Sequence, residues 1–275
     1  MGDSSRYNIV SARDLAAGIT RMVVRAPDIV RQALPGQFVV VIPQEKGERI
    51  PLTIAGVSQI TGDLTLVFQH VGFSTLALGR MKAGEDLYAV LGPLGKPTDT
   101  RRVGTVVAVA GGVGAAEVLG VLGAFKQAGN RVVCCVGART REKVVLADEL
   151  KGACDELLIA TEDGSLGRTG LVTGLLDDVL NREPCHLVYA VGPVPMMKAA
   201  AERTRAAGIK TVVSLNPVMV DATGMCGACR CRVAGKTVFG CVDGPEFDGH
   251  AVDFDALEKR LRFFEEEERR AREAA

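Results

Sequence analysis

A group of cysteines near the C-terminus has the residue types and spacing best suited to hold a metal. Four of the eight cysteines lie within residues 226–241, and Asp221 stands five positions before the first of them. The Cys-x2-Cys pair formed by Cys226 and Cys229 is a chelating unit used by both zinc and iron-sulfur sites. The sequence therefore predicts a metal centre in this segment.

The spacing is compatible with two kinds of metal site. Asp221 is followed after four residues by Cys226, after two more by Cys229, and later by Cys241. This is the plant-type 2Fe-2S spacing with an aspartate at the first ligand position. A carboxylate is a harder donor than a thiolate, so it suits ferric iron and alters the reduction potential of the cluster. Zinc, held by the same cysteines and a fourth ligand, is the alternative.

Two further residues compete for the place of the fourth ligand. Cys231 lies two positions after Cys229, and alternation along an extended segment puts both on the same side. His250 is a second candidate in the zinc alternative. We expect Cys231 to be a buried thiol that does not bind the metal.

Composition limits the partners that the protein can have. Lys and Arg total 33 and so do Asp and Glu, so no global positive field attracts nucleic acid or an anionic membrane. The N-terminal "MGDSSRYNIV" lacks a secretory signal pattern, and no apolar run approaches the length of a membrane span. We expect a cytoplasmic protein whose thiols stay reduced, which favours metal binding over disulfides.

The 275-residue chain divides into segments of different patterning. Residues 1–99 consist of short β-branched runs between Gly, Pro and Asp turns, which predicts a small antiparallel all-β barrel or sandwich. Residues 100–213 alternate apolar strands with amphipathic helices, which predicts an α/β domain with a parallel sheet. Residues 214–253 form the cysteine module, and residues 254–275 are predicted to form a solvated terminal helix.

Glycine turns in the α/β segment indicate a nucleotide crevice. A strand ending at Ala110 is followed by "GGVG", a turn that brings helix N-terminal amides to a phosphate but that also serves helix packing. "TEDGSLGRTG" and "AVGPVPMM" end two more strands at the same predicted sheet edge. The candidate nucleotide-binding residues are Gly111, Gly112, Gly114, Asp163, Gly164, Gly192 and Pro193.

The barrel segment contains two candidate flavin-binding stretches, "RIPLT" and "FQHVGFST". An arginine there can pair with a pyrophosphate, and hydroxyl groups can meet a ring or open a helix on phosphate. An exposed arginine and a capped surface helix explain the same residues without a ligand. The candidate residues are Arg49, Pro51, Leu52, Thr53, Phe68, Gln69, His70, Ser74 and Thr75.

The order of these motifs and the residues in them resemble those of the ferredoxin reductase family of flavoproteins over nearly the whole chain. "RIPLT" with "GFST" resembles its FAD domain, and "AGGVG" with "AVGPVPMM" resembles its pyridine-nucleotide domain. The C-terminal "SLNPVMVDATGMCGACRC" is similar to electron-transfer subunits of dihydroorotate dehydrogenase, of sulfide dehydrogenase and, most of all, of NADH-dependent reduced ferredoxin:NADP oxidoreductase. In that last group the resemblance assigns the cluster to Asp221, Cys226, Cys229 and Cys241.

The resemblance implies an electron-transfer subunit with FAD, a 2Fe-2S cluster and NAD(H) as cofactors. It also implies a heterodimer with a larger flavin and iron-sulfur subunit that handles NADP(H) and ferredoxin. A subunit of the sulfide or dihydroorotate dehydrogenases, or a zinc-stabilised binding module without catalytic activity, is the alternative. The acidic Glu162 and Asp163 predict a preference for NAD(H) over NADP(H), whereas Arg139 and Arg141 favour a 2′-phosphate.

The remaining cysteines and several other residues are expected to be structural. Cys134 and Cys135 lie in an apolar strand, where free cysteine acts as a small hydrophobe. Met196 and Met197 are expected to pack the helix that follows the third glycine turn. The same structural interpretation applies to Cys154, Cys185 and His186.

Overall fold

The first half of the fold is an antiparallel barrel. The structure is a computed structural model and describes residues 7–273. Its first sheet has the strand order β6-β1-β2-β5-β4-β3-β7. Only Tyr88 separates β6 from β7 in sequence, so the two ends of that order lie side by side and the sheet curls into a barrel. The elements are β1 (Tyr7–Ala16), β2 (Ile19–Arg25), α1 (Pro27–Val30), β3 (Phe38–Ile42), β4 (Ile50–Ser58), β5 (Asp63–Gln69), α2 (Phe73–Arg80), β6 (Asp86–Leu87) and β7 (Ala89–Leu94).

The second half is a doubly covered parallel sheet. Its order is β11-β10-β9-β8-β12-β13-β16, where β16 is the strand Glu246–Asp248 of the cysteine module. All neighbouring strands run parallel except β13 and β16. A 3-10 turn at Arg141–Lys143 follows β9. The elements are β8 (Thr105–Gly111), α3 (Gly114–Gln127), β9 (Arg131–Ala138), α4 (Ala147–Ala153), β10 (Glu156–Thr161), β11 (Arg168–Thr169), α5 (Val172–Arg182), β12 (Leu187–Val191), α6 (Val194–Arg205) and β13 (Lys210–Ser214).

Near-continuous apolar strands form this sheet because both of its faces are buried. Along β8, Val106 and Ala108 pack with α3 and α4, whereas Val107 and Val109 pack with α5 and α6. Cys134 and Cys135 occupy opposite faces of β9 in the same way, and burial raises the pKa of each thiol. The structure therefore places both cysteines in the core.

The C-terminal module is attached to the parallel sheet by a strand that the sequence pattern did not indicate. β14 (Arg230–Val233) and β15 (Lys236–Phe239) form a hairpin, and β16 (Glu246–Asp248) pairs antiparallel with β13. The predicted terminal helix consists of α7 (Phe254–Leu261), a 3-10 turn (Arg262–Phe264) and α8 (Glu265–Glu273). The last two residues of that prediction lie outside the described chain.

Strand β3 explains how the barrel and the cysteine module meet. Val39 and Val41 point into the barrel core, while Phe38 and Val40 point outward. The outward side chains pack against residues of the module instead of facing water, and these partners include Ala222, Cys229 and Cys241. The module is thereby held against both larger units.

No helix within residues 7–273 has both the length and the apolar character needed to cross a membrane.

Candidate functional site

A cavity of about 650 Å³ lies at the carboxyl ends of the parallel strands. Gly111, Gly112 and Pro193 line it from the glycine turns, and Gln69 lines it from barrel strand β5. Open α/β sheets bind their ligands at this edge, and the volume is that of a small-molecule site. The cavity therefore brings together three of the predicted nucleotide-binding residues, Gly111, Gly112 and Pro193. It also adds Gln69 from the barrel to them.

Two of the predicted glycines have a packing requirement. A Cβ on Gly114 would lie 2.4 Å from the carbonyl oxygen of Val191, so α3 approaches β12 too closely for any side chain. Gly192 has φ +147° and faces the backbone of Gly111, with a Cβ position 3.0 Å from its nitrogen. These glycines shape the turn, and neither lines the cavity.

Acidic residues at the end of β10 separate into two roles. Asp163 accepts hydrogen bonds from Ser165 N (3.0 Å) and Ser165 Oγ (2.6 Å), which lower the pKa of its carboxyl. Gly164 forms the turn beside it with φ +74°. Glu162, in contrast, lines the cavity together with Arg139. The acid at the candidate nucleotide cavity is thus Glu162, whereas the Asp163 carboxylate is hydrogen-bonded within its own loop.

Only some of the candidate flavin residues present side chains to a ligand. Leu52 and Phe68 are buried in the barrel core, which leaves their backbone groups for contact. Pro51 and Thr53 are half-buried on β4. His70 Nε2 lies 2.9 Å from Thr20 Oγ1, so the imidazole is engaged inside the barrel wall.

The start of α2 is fixed by side-chain hydrogen bonds. Thr75 Oγ1 accepts hydrogen bonds from Val71 N (3.0 Å) and Gly72 N (3.1 Å), which fixes the entry of the chain into the helix. The Ser74 hydroxyl donates to Glu48, an exposed residue before β4. Phe73 is 55% exposed beside these groups. Both hydroxyls are therefore bonded within the chain, and Phe73 is the open aromatic ring beside them.

Arg49 connects the barrel to the cysteine module. Its guanidinium donates to Asp221 Oδ1 (2.8 Å) and to the Asp221 carbonyl oxygen (3.1 Å). The Asp221 carboxylate also accepts from Thr223 N at 3.1 Å and from the Thr223 hydroxyl. The Thr223 and Arg49 contacts lower the pKa of Asp221, so this carboxyl is an ionised oxygen donor.

The structure brings the candidate metal ligands into one loop system. Cys229 Sγ and Cys241 Sγ are 3.2 Å apart and buried. Two sulfurs bound at ~2.3 Å to one tetrahedral ion are separated by roughly 3.8 Å, so this pair is close to the spacing of ligands on one metal. Burial and the neighbouring Cys229 raise the pKa of Cys241 to about 12.

Cys226 differs from this buried pair because it is exposed. Backbone N–H groups of Ala228, Asp221 and Val220 point at its sulfur and lower the pKa of the thiol. Amides directed at sulfur stabilise the thiolate form that binds iron. Within residues 7–273 no three His, Cys, Asp or Glu side chains are gathered in metal-binding geometry. The candidate ligands therefore lie in one loop region but do not yet surround a common point.

The competing ligands lie elsewhere. Cys231 packs with the core layer that contains Phe254 and Leu257, on the side of the hairpin away from the Cys229 and Cys241 pair. His250 Nε2 is 2.9 Å from Thr204 Oγ1, at the packing surface of α6. The four-ligand zinc site that needs either residue therefore has no counterpart here.

A polar junction that sequence reasoning missed lies between the domains. Tyr189 on β12 donates to Glu246 Oε1 on β16 (2.7 Å), and Thr98 from the chain after the barrel donates to the same oxygen. Glu117, in the first turn of α3, lies where this helix packs on β4, and desolvation raises the pKa of its carboxyl to about 7. A glutamate inside the otherwise small and apolar "GAAEVLG" was the signal available in the sequence. Met196 packs against the core beside Met197, as expected, and it also lines the cavity.

Comparison with known proteins agrees with this architecture. Residues 216–253 match the iron-sulfur cluster binding domain of dihydroorotate dehydrogenase B. The chain is 42% identical over 269 residues to a Thermotoga maritima homologue of the dihydroorotate dehydrogenase B electron-transfer subunit, covering 98% of this chain and 95% of that protein. The corresponding subunit of Desulforamulus reducens is 34% identical, with 82% and 89% covered.

Solved structures give the same result at the level of the fold. The structure of an NADH-dependent reduced ferredoxin-NADP oxidoreductase aligns with TM-score 0.93 and 41% identity, covering 100% of this chain and 99% of that one. A cytochrome P450 reductase from Amycolatopsis aligns with TM-score 0.60 and 17% identity over 73% of this chain and 65% of its own, which shows the shared fold. The predicted family resemblance and fold class are confirmed. The chain belongs to the family of dihydroorotate dehydrogenase B electron-transfer subunits and their homologues, which are iron-sulfur oxidoreductase subunits.

Proposed function

We propose that the chain passes electrons between NAD(H), FAD and a 2Fe-2S cluster, and from the cluster to a larger partner subunit. The observation that carries this proposal is the placement of the cysteine module. It packs on barrel strand β3 through Cys229 and Cys241 and is tied to the barrel by Arg49. One chain thus holds a candidate flavin site, nucleotide crevice and cluster loop in direct succession.

The nucleotide and flavin sites divide their tasks by chemistry. Gly111 and Gly112 let a pyridine nucleotide approach the sheet edge without side-chain obstruction, and Gln69 brings the barrel to the same cavity. Thr53 and the N-terminus of α2 offer hydroxyl and amide groups to FAD. Bound FAD would supply the exchange between two-electron hydride chemistry and single electrons.

The cluster ligands are proposed as Asp221, Cys226, Cys229 and Cys241. Cys229 and Cys241 are close enough to share one iron, which leaves Asp221 and Cys226 for the other. Arg49, which now neutralises the Asp221 carboxylate, also lies beside the candidate flavin segment and is suited to a pyrophosphate. From this position the guanidinium can pair either with the Asp221 carboxylate or with a pyrophosphate in the candidate flavin site.

The partner is proposed as the larger flavin and iron-sulfur subunit of a ferredoxin:NADP oxidoreductase. Full-length similarity to a structure of that enzyme and the aspartate at the first ligand position support this assignment. The Thermotoga relative, described as homologous to a dihydroorotate dehydrogenase B subunit, supports a dihydroorotate dehydrogenase complex as second candidate. The isolated complex separates the two by its activity: NADP⁺ reduction from NADH and reduced ferredoxin, or dihydroorotate-dependent NAD⁺ reduction.

Anaerobic absorption spectroscopy tests the cofactor assignment. Flavin bands and the broad iron-sulfur absorption should both be present and should bleach together when NADH is added. A colourless protein containing stoichiometric zinc contradicts the proposal. A flavin that bleaches without any iron-sulfur absorption contradicts the cluster assignment alone.

A further inference from the structure

Asp221, the proposed oxygen ligand of the cluster, is held by an arginine from a distant part of the chain. Arg49 immediately precedes barrel strand β4, and Asp221 lies in the module loop five positions before Cys226. The Arg49 Nη1 atom is 2.8 Å from Asp221 Oδ1 and 3.1 Å from the Asp221 carbonyl oxygen. One nitrogen of the barrel therefore fixes both the side chain and the backbone of this loop residue.

The two oxygens of the Asp221 carboxylate have different partners. Oδ2 accepts from Thr223 N at 3.1 Å and from the Thr223 hydroxyl, whereas Oδ1 accepts from Arg49. A carboxylate has about four lone-pair sites, two on each oxygen. Two donors occupy Oδ2 and one donor occupies Oδ1, so Oδ1 keeps a site with which it can bind iron while it stays bonded to Arg49.

The backbone next to Asp221 is also shaped by the barrel. Ala222 has φ +62°, in the left-handed region that is unfavourable for alanine, and its side chain is buried against Phe38 and Val40 of β3. Such a conformation persists where the surrounding contacts impose it. Burial of Ala222 on β3 and the bond from Arg49 to the Asp221 carbonyl oxygen are two such contacts. The barrel therefore sets the position of the oxygen ligand.

The charge of Arg49 also bears on the redox chemistry. In the proposed function the cluster takes one electron from the reduced flavin, which turns one ferric ion ferrous and adds one negative charge. A cation bonded to a ligand of the cluster stabilises the reduced form more than the oxidised form, which raises the reduction potential. The Arg49 side chain is 38% exposed and that of Asp221 23%, so solvent screens only part of this interaction.

We propose that Arg49 is a positioning residue for the cluster, which orients the Asp221 carboxylate as a ligand and raises the reduction potential of the bound cluster. Residues that hydrogen-bond to metal ligands fix their orientation, and loss of such a partner weakens metal binding about 10- to 100-fold. The inference rests on the proposed function of this chain. It adds that the barrel, which carries the candidate flavin residues, acts on the cluster through one side chain.

Variants of Arg49 test the assignment in the full chain with its cofactors bound. Arg49→Gln removes the charge, and Arg49→Lys keeps it. Arg21→Gln is the matched control, because Arg21 also joins the barrel to another unit, through Glu149 on α4 at 3.2 Å. Circular dichroism and FAD content, measured first, establish that each variant is folded and carries its flavin.

Three properties of the cluster are then measured anaerobically: its lifetime against an iron chelator, its electron paramagnetic resonance signal and its midpoint potential. We expect Arg49→Gln to lose the cluster about tenfold faster than the wild-type protein, with an altered signal and a lower potential. Arg49→Lys should keep a potential close to that of the wild-type protein, since the charge is retained. Arg21→Gln should leave all three properties unchanged.

A double-mutant cycle shows whether Arg49 acts through the carboxylate. In an Asp221→Cys background the side-chain acceptor of Arg49 is gone, while the carbonyl oxygen remains. Arg49→Gln should therefore shorten the lifetime of the cluster by a smaller factor in this background than in the wild-type one. An equal factor in both backgrounds overturns the orienting role.

Failure of the inference differs from failure of the proposed function. Wild-type protein without iron-sulfur absorption overturns the cluster assignment in the proposed function itself. If the wild-type protein holds the cluster and Arg49→Gln keeps its lifetime, signal and potential, the role of Arg49 is overturned while the proposed function stands. Loss of FAD from Arg49→Gln with an unchanged cluster has the same meaning, because it assigns the guanidinium to the flavin pyrophosphate.

Discussion

At the scale of single residues, the environment of each acid decides its chemistry. Asp221, fixed by Thr223 and Arg49, is held ionised, whereas desolvation raises the pKa of the half-buried Glu117 to about 7. Asp163 and Glu162 are adjacent in sequence, yet the Asp163 carboxylate is hydrogen-bonded to Ser165 in its own loop, whereas Glu162 lines the cavity. Residue type alone does not separate these cases.

Asp221 can be tested because cysteine and alanine have opposite effects on a metal site. We expect Asp221→Cys to retain a 2Fe-2S cluster, since a thiolate at this position restores the all-cysteine plant-type spacing, but with a shifted potential and electron paramagnetic resonance signal. Asp221→Ala should lose or weaken cluster binding. Iron and sulfide content per chain, together with the spectrum, measures both.

Cys231→Ala is the control for this pair, because Cys231 packs in the core away from the proposed ligands. It should keep the cluster. The opposite pattern, with a full cluster in Asp221→Ala and none in Cys231→Ala, identifies Cys231 as the fourth ligand and refutes the assignment of Asp221.

Glu117 predicts a pH-dependent stability with a defined sign. Its pKa is raised in the folded chain to about 7, above the ~4.3 of an unfolded glutamate, so the folded state binds the extra proton. The stabilisation is therefore complete below about pH 4 and is lost as pH rises to about 7. Because the side chain is half-buried, we expect an effect of the order of 1–2 kcal/mol.

Denaturant unfolding of wild-type and Glu117→Gln proteins between pH 5 and 8 measures this difference. Glu117→Gln should gain stability relative to wild type as pH rises through the interval. A difference in unfolding free energy that does not change with pH would rule out the raised pKa.

At the scale of elements, the loops that follow β9 and β10 border the candidate nucleotide cavity. Arg139 is the first residue after β9 and Glu162 the first after β10, and both line the cavity. Arg141 is turned away from it, since its guanidinium donates to the Ser165 carbonyl oxygen at 3.1 Å and tightens the loop. This leaves one acid and one arginine at the edge where a ribose would lie.

We predict a preference for NADH over NADPH that depends on Glu162. A carboxylate bonds ribose hydroxyls and repels a 2′-phosphate, so Glu162→Gln should reduce the preference about tenfold, a difference of ~1.4 kcal/mol. Diaphorase assays with both nucleotides measure it. Glu142→Gln, on the neighbouring 3-10 turn, is the control and should leave the ratio unchanged. A lower KM and higher turnover with NADPH in the wild-type protein would contradict the prediction.

At the scale of the whole molecule, three units meet through buried polar contacts as well as apolar packing. Glu246 belongs to the C-terminal module, Tyr189 to the parallel sheet and Thr98 to the connection from the barrel. Burial raises the pKa of the Glu246 carboxyl, and the two hydroxyl donors satisfy the oxygen that they share. The junction holds the strand β16 on the edge of the sheet.

Removing one donor from this junction should destabilise the whole chain. We expect Tyr189→Phe to reduce the unfolding free energy by about 1–2 kcal/mol, because Glu246 is left less well bonded in a partly buried place. Tyr88→Phe is the matched control, since Tyr88 is 56% exposed. Urea unfolding followed by circular dichroism gives both values, and equal stability of the two variants would show that the junction contributes nothing.

The sequence by itself determined the order of barrel, parallel sheet and cysteine module, because each has its own period of apolar residues and its own turn chemistry. The spacing of Asp221 and the cysteines likewise predicted a donor set, since ligand spacing is a local property of the chain. These features depend on residues that are near one another in sequence, and residues 216–253 match an iron-sulfur cluster binding domain.

Tertiary structure alone decided which residues of distant segments meet. Strand β3 is buried on both faces because the cysteine module covers its outer side, and β16 completes a sheet that begins more than a hundred residues earlier in the chain. The contacts of Arg49 with Asp221 and of Tyr189 with Glu246 join separate units in the same way. Periodicity reports that a side chain is buried but not against what, so the partners of these acids follow only from the packing of the domains.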